Sequence, residues 1–198
     1  MRFFKENSYE IVRLFLNQIA LAVFGIVLFS ATLMAGDGQY TYLTLLASIG
    51  SVLFYLYILF ATLRDLGAKD KIRIEGTGKD EDKNWGLKVA LYAQIPNLVV
   101  IFLMFLGWFL AYVCGAASFG LNLFSICYVI IGFLQACFKG IQGSIVSSLA
   151  GGTQCFLCSL IYLLSTIPVI LVCLYSYRLG LSDKRNVKAQ KSKEMNDE

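Results

Sequence analysis

Few groups in this chain of 198 residues have the type and spacing to do chemistry. Cys155-Phe-Leu-Cys158 is its one Cys-x-x-Cys, the spacing of a dithiol that exchanges disulfides. Such exchange needs a thiolate, and a neighbouring cation is one way to hold it. The flanks, Gln154 and a run of Phe, Leu and Ser, supply none. Cys114, Cys127, Cys137, Cys155, Cys158 and Cys173 all lie in or beside apolar runs, which favours their role as small buried hydrophobes. Gly76-Thr-Gly-Lys79 lacks the spacing of a phosphate loop, and Asp80 stands where Ser or Thr would bind magnesium. Asp80, Glu81 and Asp82 lack the alternating oxygens and the glycine of a calcium loop. Histidine is absent, and with it the usual proton shuttle near neutral pH. These residues form no catalytic constellation and call for no cofactor or metal.

A second group is polar without being reactive. Asn17 and Gln18, Gln94 and Asn97, Ser165 and Thr166, and Asn122 and Gln135 all interrupt apolar stretches. The two prolines of the chain, Pro96 and Pro168, each follow an isoleucine inside such a stretch. Proline removes a backbone donor and frees the carbonyl one turn earlier. Pro96 lies eight residues from Lys88 and Pro168 ten from Arg178, so both fall at a similar depth. Asn17, Gln18, Gln94, Pro96, Asn97, Thr166 and Pro168 are therefore the candidate hinge and polar pocket. Hydrogen-bonded glue between helices is the competing role for the amides.

The elements that carry these residues are membrane helices. Apolar residues make up 58% of the chain and charged residues 15%, against about 45–50% and about 25% in soluble domains. Mean hydropathy is +0.68. The apolar residues gather into runs at about 11–35, 42–63, 87–113 and 154–177, each long enough for the roughly 20 residues that a span needs. The first run exceeds a signal-peptide core and reads as an uncleaved helix. Residues 118–153 divide into an apolar half and a weaker Gly- and Ser-rich half, in which Gly143, Ser147 and Gly151 are spaced for a helix-packing face.

Basic residues orient the chain. Three precede or open the first run, seven lie between 64 and 88, and six lie beyond 177, leaving Lys139 alone elsewhere. Positive residues stay cytoplasmic, so both termini and the polar loop 64–88 are expected inside, with an even number of crossings. The expected fold is an all-α membrane protein: a bundle of four transmembrane helices plus a re-entrant or interfacial helical hairpin with Lys139 near its turn. Five or six spans are the alternatives. The bundle occupies 1–177, and the basic segment 178–198 is expected to be a disordered cytoplasmic tail. Lys71-Ile-Arg-Ile-Glu75 alternates like a short strand and suggests a small hairpin.

FKENSYEIVRLFLNQIALAVFG, RDLGAKDKIR, QIPN and IPVIL together resemble small, uncharacterised polytopic membrane proteins of Gram-positive bacteria. The likeness covers the first 100 residues and the last span. It implies a plasma-membrane location and no activity. The expected function is a non-catalytic membrane component of a transport-type assembly, with the lipid bilayer and a cytoplasmic protein at 64–88 as partners. Nucleic acid is not expected as a partner, and the oligomeric state stays open. A scaffold or sensor without a solute path is one alternative, and a thiol oxidoreductase using Cys155 and Cys158 is the other.

Overall fold

A computed structural model describes residues 7–36, 42–77, 84–147 and 153–182. Among them the regular elements are helical: α1 (Ser8–Ala35), α2 (Tyr42–Thr77), α3 (Trp85–Tyr112), α4 (Ala117–Leu134), a 3-10 turn (Ala136–Phe138), α5 (Lys139–Ser147) and α6 (Thr153–Ser182). Five of these helices, all but α5, are long and apolar enough to cross a membrane. Their outward faces carry large apolar side chains, with Leu53, Phe102 and Val129 each more than 60% exposed. Water would penalise such a surface and lipid does not. The protein is an all-α membrane helical bundle.

The two ends of the bundle are fixed by aromatic and polar contacts. At one end the Trp85 ring stacks on Tyr177, with centroids 4.9 Å apart. Its Nε1 donates to Asn7 Oδ1 at 3.0 Å, and the Tyr177 hydroxyl donates to Asp70 Oδ2 at 3.0 Å. The start of α1, the far part of α2, the start of α3 and the end of α6 therefore converge there. At the other end the Tyr112 hydroxyl lies 4.0 Å from Cys155 Sγ, which places the end of α3 beside the start of α6. Gly115, at φ 74°, sits in the turn out of α3; this left-handed conformation suits a residue without Cβ.

The chain therefore leaves α3 and enters α6 at the same end. Helix α4 runs inward against α3, where Gly107 and Gly120 let the backbones touch. A Cβ on Gly107 would stand 2.9 Å from Gly120 O, and one on Gly120 would collide with Ala111 N. The 18 residues of α4 cover about 27 Å, just short of a hydrocarbon core of about 30 Å. It ends beside Gln18, ten residues into α1, where Gln18 Nε2 donates to Leu134 O at 3.2 Å. The chain then breaks into the 3-10 turn and restarts as α5, whose first residue is Lys139. The chain thus turns back as a hairpin, with Lys139 at its turn. Lys139 Nζ lies 5.3 Å from the centroid of the Phe29 ring, a cation–π contact.

The turn is clamped from two sides. Ser48 Oγ of α2 donates to Cys137 O at 2.8 Å, and Cys137 Sγ donates to Leu21 O of α1 at 3.1 Å. Gly25 and Gly140 permit this approach, since a Cβ on either would fall within 2.7 Å of the facing backbone.

Two expectations are corrected. Residues 64–77 are not loop but the continuation of α2, and the alternation at 71–75 is helical, not a strand. Extending an existing helix costs far less than nucleating a new element, and the added turns are anchored: Gly67 packs on the Tyr177 carbonyl, and Gly180 packs on Arg64 O. Helix α6 likewise continues to Ser182, five residues into the segment expected to be a tail. The remainder of that tail, the acidic run 80–82 and Gly151 lie outside the described residues.

Candidate functional site

The apolar interior is divided in two. One cluster, near the Trp85 end, contains Ile11, Leu14, Leu59, Leu63, Val89 and Cys173. The other, near the Tyr112 end, contains Ile101, Met104, Phe124, Cys127, Ile131 and Tyr162. Between them, at the depth where α4 breaks, lies a layer of amides and hydroxyls. Gln18, Gln94, Asn97, Gln135, Gln142 and Thr166 are all buried. Five of them, with Tyr55, Ser165 and the turn residues Cys137 and Phe138, line a cavity of about 10 Å³. That is roughly the room one water needs.

Two relays of hydrogen bonds organise the layer, and backbone carbonyls fix their direction. Leu134 O can only accept, so Gln18 must present Nε2 to it. Gln18 Oε1 then faces Gln94 and accepts from its Nε2 at 3.4 Å. Gln94 Oε1 in turn accepts from Asn97 Nδ2. The second relay starts at Tyr162 O, which accepts from Gln135 Nε2 at 3.2 Å. Gln135 Oε1 accepts from Gln142 Nε2 at 3.0 Å, and the same nitrogen lies 3.0 Å from Ser165 Oγ. Each relay thus ends in an amide oxygen, Asn97 Oδ1 in one and Gln142 Oε1 in the other. Both oxygens are buried without a hydrogen-bond partner among the described residues.

The Ser165 and Thr166 hydroxyls point their protons elsewhere. Ser165 Oγ donates to Ile161 O at 2.9 Å and Thr166 Oγ1 to Leu163 O at 2.7 Å. Tyr55 brings its hydroxyl to Gln94 from α2. No Asp, Glu, Lys or Arg lines the cavity. The site can therefore bind and orient by neutral oxygens, and the thiol that lines it, Cys137, gives its proton to Leu21 O.

Of the seven candidate residues, the structure brings Gln18, Gln94, Asn97 and Thr166 to the cavity. Asn17 is half-buried on α1 and does not line it. Pro96 is half-buried and Pro168 faces outward. Both helices run continuously through their prolines. The prolines therefore sit beside the layer and act on it only through the backbone, where the carbonyls of Tyr92 and Leu164 lose their helical donors. Gln142 and Tyr55 were not among the candidates; Gln135 was, as helix glue. Seven residues separate Gln135 from Gln142, and the 3-10 turn between them, not helical spacing, brings the two amides together. Asn122 is exposed on α4.

Two other sites bear on function. Cys155 is half-buried and Cys158 buried in the first turns of α6, and the six cysteines are free thiols. A cleft of about 230 Å³, lined by Arg13, Asp65, Lys69 and neighbours, opens between α1 and α2 toward the Trp85 end.

Compared with known proteins, the chain matches no family model, no curated protein and no solved structure.

Proposed function

We propose that the protein is a non-catalytic membrane component of a transport-type assembly. It sits in a bacterial plasma membrane, with the Trp85 end and both termini facing the cytoplasm. The observation that carries this reading is the buried amide layer at the tip of the re-entrant hairpin. Irregular backbone at membrane depth is tolerated where protein buries it or where it borders a polar cavity, and both conditions hold at Gln135–Phe138. The orientation rests on the basic residues, of which Arg64, Lys69, Lys71, Arg73, Lys88 and Arg178 belong to the Trp85 end. The polar turns of α2 that follow Arg64 form a docking element for a cytoplasmic partner. The assignment to a Gram-positive bacterium rests on the sequence resemblance alone.

The test compares uptake of labelled ions and small solutes into cells carrying the wild-type chain, Asn97→Leu or Gln94→Leu. Loss of one uptake activity, with the variants still inserted at normal level, supports the reading. Equal uptake in all three contradicts it. A scaffold or sensor without a solute path is the second reading; the mutual hydrogen bonding of Gln18 with Gln94 and of Gln135 with Gln142 favours it. It predicts that the same substitutions change assembly alone.

A further inference from the structure

We infer that the amide layer is a binding site for one small, dehydrated monovalent cation of the size of sodium. Asn97 and Gln142 are 1% and 3% exposed, and the carbonyl oxygen of each has no partner among the described residues. An unpaired carbonyl so deep in a membrane protein carries a cost that a bound group removes. The character of that group follows from the direction of the relays. Every link hands an N–H toward a wall carbonyl and leaves an oxygen behind it, so the negative ends of both relays are the two free oxygens. The Ser165 and Thr166 hydroxyls also send their protons to the backbone of α6 and leave lone pairs at the cavity. The site accordingly offers acceptors and attracts positive charge.

Size and charge narrow the class further. A cavity of about 10 Å³ admits one atom-sized occupant and excludes an organic ammonium or any amino acid. Divalent cations bind through carboxylates, and none lines this cavity. Neutral carbonyl and hydroxyl oxygens are the ligands with which membrane proteins replace the hydration shell of monovalent ions. Lys139, the cation nearest in sequence, turns its ammonium onto Phe29 and does not line the cavity. Asn97 of α3 and Ser165 and Thr166 of α6 line the cavity, and Gln142 of α5 holds Ser165, so occupancy would tie the re-entrant hairpin to the two proline-containing helices. This site does not depend on the transport reading: a bound ion is compatible with a sensor, and the test below measures no flux.

The experiment uses the full chain purified in mild detergent at constant ionic strength. Thermal unfolding is followed in sodium, potassium and choline chloride, and ²²Na⁺ binding is measured by scintillation proximity. The expected result is a melting temperature that rises with sodium concentration and not with choline, with saturable ²²Na⁺ binding at about one ion per chain. Asn97→Leu should abolish the sodium-dependent rise, and Gln142→Leu, which releases the lining residue Ser165, should weaken it. If a leucine variant does not fold, Asn97→Asp supplies the second reading: a carboxylate at this position should tighten sodium binding at least tenfold and admit calcium. Equal melting temperatures in all three salts with no ²²Na⁺ bound would overturn the inference and leave a water-filled cavity. A sodium response unchanged in Asn97→Asp and both leucine variants would overturn it equally.

Discussion

Gln142 Nε2 is shared between Gln135 Oε1 and Ser165 Oγ, 3.0 Å from each. Through this one amide the returning arm of the hairpin is joined both to the residue where the inward arm stops and to α6. The 3-10 turn between Gln135 and Gln142 is thus not a free loop at membrane depth but one side of a hydrogen-bonded ring. The relay from Asn97 through Gln94 to Gln18 lines the same cavity.

The relays should behave as units. Gln94→Leu removes a donor from Gln18 and an acceptor from Asn97 at once, and should destabilise the protein by about 1–3 kcal/mol. Gln18→Leu alone should cost about as much, because Leu134 O and Gln94 Nε2 each lose a partner. The double variant should fall short of the sum, since the two residues share one bond. Chemical or thermal unfolding of the three variants in detergent measures this, and strict additivity would show that the amides act separately.

Close backbone approach, not side-chain interlock, joins α3 to α4. Gly120→Val should destabilise the chain by at least about 2 kcal/mol, because its side chain would meet the Ala111 backbone, which cannot move without moving α3. Gly50→Ala is the control, as nothing lies within 4 Å of a Cβ there. Equal stability of the two variants would mean that the α3–α4 contact is looser than the structure has it.

The sequence displays the long helices and hides part of the site. The long helices are legible because each is a run of apolar residues bounded by charges or glycines, and the hairpin is legible because charge parity demands a return. Gln18, Gln94, Asn97 and Thr166 stand out as amides and hydroxyls in apolar surroundings at matched depth. Gln142 does not, because its neighbours Gly140, Gly143 and Ser144 are polar or small and make it look like surface. Tyr55 is one of three tyrosines and phenylalanines within four residues of α2, and only packing against Phe138 selects it. Residues 64–77 read as loop because their charges outweigh their apolar positions; yet Leu66 and Ala68 pack inward, and Gly67 meets α6 through its missing side chain.

Cysteine chemistry reports the topology. Cys114 is exposed in the turn at the Tyr112 end, whereas Cys127, Cys137, Cys158 and Cys173 are buried. A membrane-impermeant maleimide added to intact cells should label Cys114, and Cys114→Ser should remove most of the signal. Cysteines placed at Arg73 or Arg178 should react only after the membrane is opened. Labelling of those two positions in intact cells would invert the proposed orientation.

The prolines should matter for process more than for folding. Neither side chain lines the cavity, and each sits within two residues of a side chain that does: Asn97 follows Pro96, and Thr166 precedes Pro168. Pro96→Ala with Pro168→Ala restores two backbone donors and should leave insertion intact and stability equal or higher. Transport should fall. Full activity in the double variant would remove the hinge from the account.

The assembly itself is the central claim, and purification in mild detergent followed by mass spectrometry of what remains bound tests it most directly. The account predicts a soluble protein in fixed stoichiometry with the chain, released when Lys71 and Arg73 on the polar end of α2 are replaced by glutamate. A chain that emerges alone, as monomer or homo-oligomer, under conditions that preserve its fold would contradict it.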